Sequence, residues 1–286
     1  MSISVRNLKY VYNPGMPGES VALDGVSFDV EDGEILGIIG HTGSGKSTLL
    51  QHLNGLIKPS SGEIYIDGQC ITDGKAKMTD IRRKVGLVFQ YPEYQLFEET
   101  VGKDVAFGPK NLGMSEGEIG ERVKYAIELV GLDYEEVKDI SPFELSGGMK
   151  RRAAIAGVIA MGPEILILDE PTAGLDPSAH REILSMVRRI HDEMNMILIF
   201  VSHNMGDVAE LSDRVMVMNK GKIALEGTPE EVFSQRDKLA AMDLGIPPAK
   251  EICDLISSRA PAFRSDALSI DEAAEDIKSY MEEARG

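Results

Sequence analysis

The chain has 286 residues, of which 43% are hydrophobic, and carries 47 acidic against 30 basic side chains for a formal net charge of −17. That length and composition suit one large buried-core domain with room for a smaller appendage, and the charge excludes a general nucleic-acid surface or adhesion to anionic lipid, both of which need clustered Lys and Arg. No apolar run reaches the roughly 18 to 20 residues that span a bilayer, and MSISVRNLKY lacks the apolar stretch of a signal peptide, so the chain is expected in the cytosol unless a partner recruits it.

Residues 5–8 and 20–30 read as the first short strands, with turn chemistry at Asp24-Gly25 and Asp32-Gly33. Residues 34–40 (EILGIIG) form an apolar run rich in β-branched side chains, and residues 46–50 (KSTLL) read as a helix directly after an intervening glycine-rich turn. A further short strand is expected at 64–68, completing an antiparallel sheet beside the main core. Residues 85–89 (VGLVF) are the next buried-strand run, and from 91 to 161 the pattern turns mostly helical, with 121–130 amphipathic. Buried-strand runs return at 164–169 (EILILD) and 196–201 (MILIFV), separated by a helix around 185–193. A closing hairpin is expected from 214–218 and 222–225 around Asn219-Lys220-Gly221.

Residues 226–286 carry 14 acidic against 7 basic side chains and few strand signals, so this tail is expected to be helical, exposed and separate from the core. Cys70 and Cys253 lack a CxxC or histidine-rich context and read as buried or incidental thiols.

Four of the strand runs end in residues that carry chemistry. In open parallel sheets ligands bind at the carboxyl ends of strands, so these ends point to one site. Gly40-His41-Thr42-Gly43-Ser44-Gly45-Lys46-Ser47, followed by Thr48, fits the phosphate-binding loop. There a glycine-rich turn lets backbone N–H groups cradle phosphate oxygens at a helix N-terminus. Lys46 is expected to reach the β- and γ-phosphates of a bound nucleotide, and the Ser47 hydroxyl to ligate Mg2+. The other histidines, His52, His180 and His191, read as structural, and His41 is expected to offer its backbone N–H.

Leu145-Ser146-Gly147-Gly148-Met149, at the start of the last helix of the 91–161 region, resembles the signature of ABC-type ATPases. The fold this implies is α/β. It combines a P-loop core on a parallel sheet, an antiparallel β subdomain, an inserted helical signature subdomain at about 91–161 and a small C-terminal helical extension. Residues 1–226 would form the nucleotide-binding domain and 227–286 an extension that supports a dimer. The resemblance implies ATP and Mg2+ as cofactors, with two chains closing over them so that Ser146, Gly147 and Gly148 of one face the P-loop of the other. Asp169 would hold Mg2+ through water, Glu170 would polarise the attacking water, and Gln90 would contact Mg2+ or that water. His203 would act as the switch histidine at the γ-phosphate, Asp176 lies in a segment resembling the loop that crosses the dimer interface, and Tyr12 or Tyr10 would stack on adenine, Tyr12 matching in position. Met149 departs from the glutamine usual there.

Residues 88–97 (VFQYPEYQLF), 51–56 (QHLNGL) and 105–109 (VAFGP) further resemble the ATPases of energy-coupling factor transporters. Thr42 and the Tyr12-Asn13-Pro14-Gly15 opening resemble the second of that family's two ATPase paralogues. This implies a transport-coupled ATPase at the cytoplasmic side of the cell membrane. Its partners would be a second ABC ATPase, identical or paralogous, an integral-membrane scaffold and a small membrane protein that captures a vitamin or a transition-metal ion. Residues 93–97 would help form a groove for scaffold helices, with Tyr94, Leu96 and Phe97 as anchors, unless these aromatics pack within the helical subdomain. An ATPase of a conventional ABC transporter is the alternative. A soluble ABC ATPase acting on DNA or ribosomes fits poorly, since one cassette with an acidic surface and only about a hundred residues between Lys46 and Ser146 matches neither type.

Overall fold

The computed structural model describes residues 1–283; the last three residues of the expected 227–286 extension lie outside them. In chain order the elements are β1 (Ile3–Tyr12), β2 (Ser20–Val30), β3 (Ile35–Ile39), α1 (Lys46–Leu53), β4 (Ser61–Ile66), β5 (Gln69–Cys70), α2 (Met78–Lys84) and β6 (Val85–Val88). A helical stretch follows with α3 (Val101–Asn111), α4 (Glu116–Leu129), α5 (Tyr134–Val137) and α6 (Gly147–Ile159). Strands and helices then alternate through β7 (Ile165–Asp169), α7 (Pro177–Met194), β8 (Ile197–Val201), α8 (Met205–Leu211), β9 (Arg214–Asn219) and β10 (Lys222–Gly227). The chain closes with α9 (Pro229–Phe233), α10 (Arg236–Ala240), α11 (Pro248–Arg259) and α12 (Ile270–Glu283).

Two sheets organise these elements. The larger has the order β10-β9-β3-β8-β7-β6 and is parallel except where β10 returns against β9. Its inner strands β3 and β8 are buried at every position. That is why both read as continuous apolar runs without alternation: helices cover one face of the parallel sheet, and α1 with the smaller sheet covers the other. The smaller sheet, β2-β1-β4-β5, is antiparallel. The hairpin expected around Asn219-Lys220-Gly221 forms, but its first strand extends the parallel sheet by pairing with β3. Several elements are longer than their patterns: β1 runs from Ile3 to Tyr12, and α7 starts at Pro177, where Asp176 caps it by accepting from the Ser178 and Ala179 N–H groups.

One core lies between the parallel sheet and the helices α3, α4, α6 and α7, drawing in Val105, Ile127, Ile155, Val187 and Phe200. A second fills the space between the two sheets, around Leu8, Phe28, Leu49 and Ile64. The acidic tail is not uniformly separate. Val232, Phe233 and Leu239 on α9 and α10 are buried in the first core, whereas Ala249, Cys253, Phe263, Ala267 and Ala273 build a small core of their own around α11 and α12. Charge counts obscured this division, because the apolar residues of α9 and α10 are spaced among acidic ones.

Candidate functional site

β3, β8, β7 and β6 are consecutive neighbours in the sheet, so the loops leaving their carboxyl ends carry Gly40–Ser47, His203, Glu170 and Gln90 to one place. Together, Thr42, Gly43, Gly45, Lys46, Ser47, Thr48, Gln90, Glu170 and His203 line a cavity of about 420 Å³. The expected convergence of four strand ends is observed.

The glycine-rich turn needs glycine for steric reasons. Gly40 has φ +156, and a Cβ there would stand 2.4 Å from the Met218 carbonyl oxygen; at Gly45, φ +106, a Cβ would stand 2.4 Å from that of Ala22. Gly45 caps α1 through its backbone alone, with no side-chain cap and no acidic residue in the first turn. The positive end of the helix and its free N–H groups are thereby left to an anion. Not every backbone donor of the loop is available: the Ser44 N–H donates to the His41 carbonyl at 3.1 Å. The Ser44 side chain is fully buried and its hydroxyl has no partner among the described residues. The His41 ring is occupied too, lying 3.1 Å from Asn219 Oδ1 and 2.7 Å from the Thr42 carbonyl. Asn219, at the end of β9, is thus a support of the loop that its place in a turn had not revealed.

Lys46 is only 6% exposed, and its Nζ donates to the Gly40 and His41 carbonyls at 2.6 and 3.2 Å. Burial lowers its pKa, while Glu170 and Asp169 oppose that shift by favouring the cation. Burial likewise pushes the Asp169 carboxyl up, countered by a hydrogen bond from Ser47 and by the charges of Lys46 and His203. Ser47 and Asp169 therefore bring two oxygen ligands together beside the cavity. No group of three or more His, Cys, Asp or Glu suited to a metal exists among the described residues. The hydroxyl of Ser47 and the carboxylate of Asp169 are a donor set suited to Mg2+, which takes one or two protein oxygens and completes its shell with water and phosphate.

Glu170 is the hub. Its Oε2 accepts from Gln90 Nε2 at 2.9 Å and its Oε1 lies 2.6 Å from His203 Nε2. Its backbone is left-handed, φ +52, as is that of Tyr91 directly after Gln90, φ +56. Non-glycine residues hold that conformation at a cost of order 1–3 kcal/mol, typically where a side chain must be aimed. Burial raises the Glu170 pKa above the ordinary glutamate value, with His203 pulling it back.

Tyr10 and Tyr12 differ in their surroundings. Tyr10 packs against the second core and edge-on to His52, whereas Tyr12 is 39% exposed and its hydroxyl lies 3.1 Å from Thr48 Oγ1 on α1. Ser146, Gly147 and Gly148 are not at this cavity within one chain. Ser146 is exposed and caps α6 by accepting from the Met149 N–H, and a Cβ on Gly147 would meet nothing within 4 Å. Asp176 also lies outside the cavity lining, its carboxylate committed to capping α7 and its pKa lowered by those backbone bonds.

A second cavity, of about 580 Å³, is lined by Leu56, Leu87, Leu96, Phe97, Phe107 and Met161 among others, so that of the 93–97 segment it takes in Gln95, Leu96 and Phe97. Phe97 and Phe107 meet edge to face with centroids 5.0 Å apart. Glu93 and Tyr94 do not line it. Tyr94 is 84% exposed, and Glu93 turns inward to form an ion pair with Arg151 at 2.7 Å. Glu93 was misplaced because a carboxylate in an aromatic segment reads as surface until its buried partner, 58 residues away, is seen.

Comparison with known proteins shows the family. The family described as "ABC transporter" matches residues 23–173. The chain is 56% identical over 281 residues, 98% of each chain, to the energy-coupling factor transporter ATP-binding protein EcfA2 of Caldanaerobacter subterraneus subsp. tengcongensis. It is also 56% identical over 278 residues to that of Clostridioides difficile, covering 97% of this chain and 96% of the relative. Among solved structures, cbiO1 of Clostridium perfringens, described as part of the ABC transporter complex cbiONQ, superposes with a TM-score of 0.75. It is 38% identical and covers 91% of this chain and 95% of its own. The dimeric cassette MJ0796 bound to ADP and Pi gives a TM-score of 0.70 at 29% identity, over 79% of this chain and 98% of its own.

Proposed function

The chain belongs to the ABC transporter family of ATP-binding proteins and, within it, to the ATP-binding subunits of energy-coupling factor transporters, and from that premise we propose how its residues divide the work of ATP hydrolysis. The observation that carries the reading is the convergence of Gln90 and His203 on Glu170 at the mouth of the P-loop cavity.

The backbone N–H groups at the start of α1 and the Lys46 ammonium receive the β- and γ-phosphates, with Thr42, Gly43, Gly45, Ser47 and Thr48 lining the pocket and Tyr12 at the adenine end. Ser47 and Asp169, with Gln90, would hold Mg2+, which would supply neutralisation of the phosphate charge. Glu170 accepts a proton from the attacking water, a role suited to a carboxylate whose pKa is raised toward neutrality. Gln90 and His203 hold the two Glu170 oxygens in place, and His203 is free to turn from Glu170 to the γ-phosphate when nucleotide enters.

Ser146 and Gly147 stand exposed and Gly148 half-buried at the N-terminus of α6, a second helix end suited to an anion. Supplying them to the γ-phosphate held by a second ATPase completes each site across a dimer, with Asp176 and its loop at the interface. Hydrolysis removes the phosphate that both subunits grip, and with it the differential affinity that favours the closed state. Closure moves the apolar cavity around Leu96, Phe97 and Phe107, which receives helices of an integral-membrane scaffold. The assembly sits on the cytoplasmic side of the membrane and imports a vitamin or transition-metal ion captured by a small membrane protein. No helix among the described residues is long and apolar enough to cross a membrane, which accords with a peripheral place. The nucleotide-binding domain extends past residue 226 through α9 and α10, whose Val232, Phe233 and Leu239 lie in its core, and the extension that supports the dimer is the segment carrying α11 and α12.

The test is Glu170→Gln. That variant binds ATP and accumulates the closed dimer in size-exclusion chromatography while turnover falls by about 100-fold or more; retained hydrolysis would remove Glu170 from its role.

A further inference from the structure

Arg151 has no part in the division of labour above, yet it is among the largest side chains buried to within 2% of complete exclusion from solvent. It lies in the first turns of α6, five residues beyond Ser146. Its guanidinium is bound on every side. Nε and Nη2 donate to the two carboxylate oxygens of Glu93 at 3.0 and 2.7 Å, and Nη1 donates to the carbonyls of Pro171 and Ala173 at 2.9 and 2.8 Å. The Tyr91 ring lies 5.8 Å away.

These partners belong to two catalytic loops. Tyr91 and Glu93 follow Gln90 directly, and Pro171 and Ala173 follow Glu170. The two loops meet at one point through the Gln90–Glu170 hydrogen bond and at a second through Arg151, which is fixed to the helix that carries Ser146–Gly148 at its start. Because a planar guanidinium grips a carboxylate in two parallel bonds, it transmits position and orientation together, which a lysine ammonium cannot do.

We propose that Arg151 is the positioning residue that couples the signature helix to the hydrolytic pair. When Ser146–Gly148 engage the phosphate held by the opposing subunit, α6 shifts as a unit, and Arg151 carries the loops bearing Gln90 and Glu170 into register with the water. Binding of nucleotide to the chain's own P-loop does not pass through Arg151. This rests on Glu170 being the base at the hydrolytic site.

The experiment measures ATP turnover, KM, nucleotide affinity and Tm of the full chain assembled with its partner ATPase, for Arg151→Lys, Arg151→Met, Glu93→Gln and the double variant Arg151→Met/Glu93→Met. Expected for Arg151→Lys is a kcat lowered by about tenfold or more with KM and nucleotide affinity within about twofold of the parent. Glu93→Gln, which keeps the shape and one acceptor, is expected to lose less. The double variant turns over no more slowly than Arg151→Met alone, since both act through one contact. Should the Arg151 variants fail to fold, Glu93→Gln carries the test by the same split between kcat and affinity. Unchanged turnover in Arg151→Lys and Glu93→Gln, effects that multiply in the double variant, or affinity falling in step with kcat would overturn the proposal. A parent chain without ATPase activity, or a fully active Glu170→Gln, would instead overturn the reading of the site on which it rests.

Discussion

Glu170 shows how one residue's surroundings set its chemistry. Burial raises its pKa first; His203 and Lys46 favour the anion, and Asp169 disfavours it. A general base works only when deprotonated, so turnover is lost as pH falls through this raised pKa rather than through the ordinary glutamate value of about 4.3. The acid limb of the kcat/KM profile, which reports the free enzyme, is therefore expected above the ordinary glutamate value. A limb at or below that value, with the protein still folded, would count against Glu170 as the base. The residue is also held in the left-handed region, and its N–H donates to the Val201 carbonyl at 2.9 Å on the strand that leads to His203. Backbone and side chain thus tie the same two strand ends together.

Among the elements, α7 and α8 are joined by a buried carboxylate whose partners come from separate segments. Asp207 on α8 lies 2.9 Å from His180 Nε2 on α7 and accepts from Thr172 Oγ1 at 3.3 Å. His180 thus has the structural role its isolated place in the sequence indicates, and Asp207 links the loop after Glu170 to the helix after His203. Burial raises the Asp207 pKa, and the hydrogen bond and charge of His180 oppose this. A carboxyl whose folded pKa is raised favours the folded state at low pH and loses that contribution as pH climbs through the folded pKa. Removing His180 therefore leaves a charged, poorly partnered group at neutral pH. His180→Ala is expected to destabilise by about 1–3 kcal/mol in chemical denaturation at neutral pH, with the deficit shrinking as pH falls and Asp207 takes up a proton. A deficit independent of pH would point to lost packing instead.

At the scale of the whole molecule, the distribution of buried side chains divides the tail. Val232, Phe233 and Leu239 are at most 1% exposed within the main core. Among the described residues beyond Leu244, only Leu268 joins that core as a buried side chain. A chain ending after Leu244 is expected to stay folded and bind ATP, with thermal unfolding close to that of the full chain. One ending before Thr228 exposes three large apolar sites worth about 1.5–3 kcal/mol each and is expected to unfold or aggregate. A large loss of stability from the shorter deletion would show that α11 and α12 are part of the ATPase core. The net charge of −17 gives the molecule little general affinity for polyanions.

The nucleotide site was legible in the amino-acid sequence because its parts are local. A glycine-rich turn between an apolar strand and a helix, and polar residues directly after buried strands, are chemistry written in consecutive residues, and parallel-sheet geometry brings such ends together. Resemblance added the partner subunit and the transporter type. What consecutive residues cannot encode are contacts between distant segments. The pairing of Glu93 with Arg151, the bracing of His41 by Asn219, the capture of Asp207 by His180 and the burial of α9 and α10 each join side chains that are unremarkable in their own neighbourhoods. Whether a charged side chain is a solvated face or a buried clamp is decided by what lies opposite it after folding, because the cost of desolvating it is met only by a partner in hydrogen-bond range.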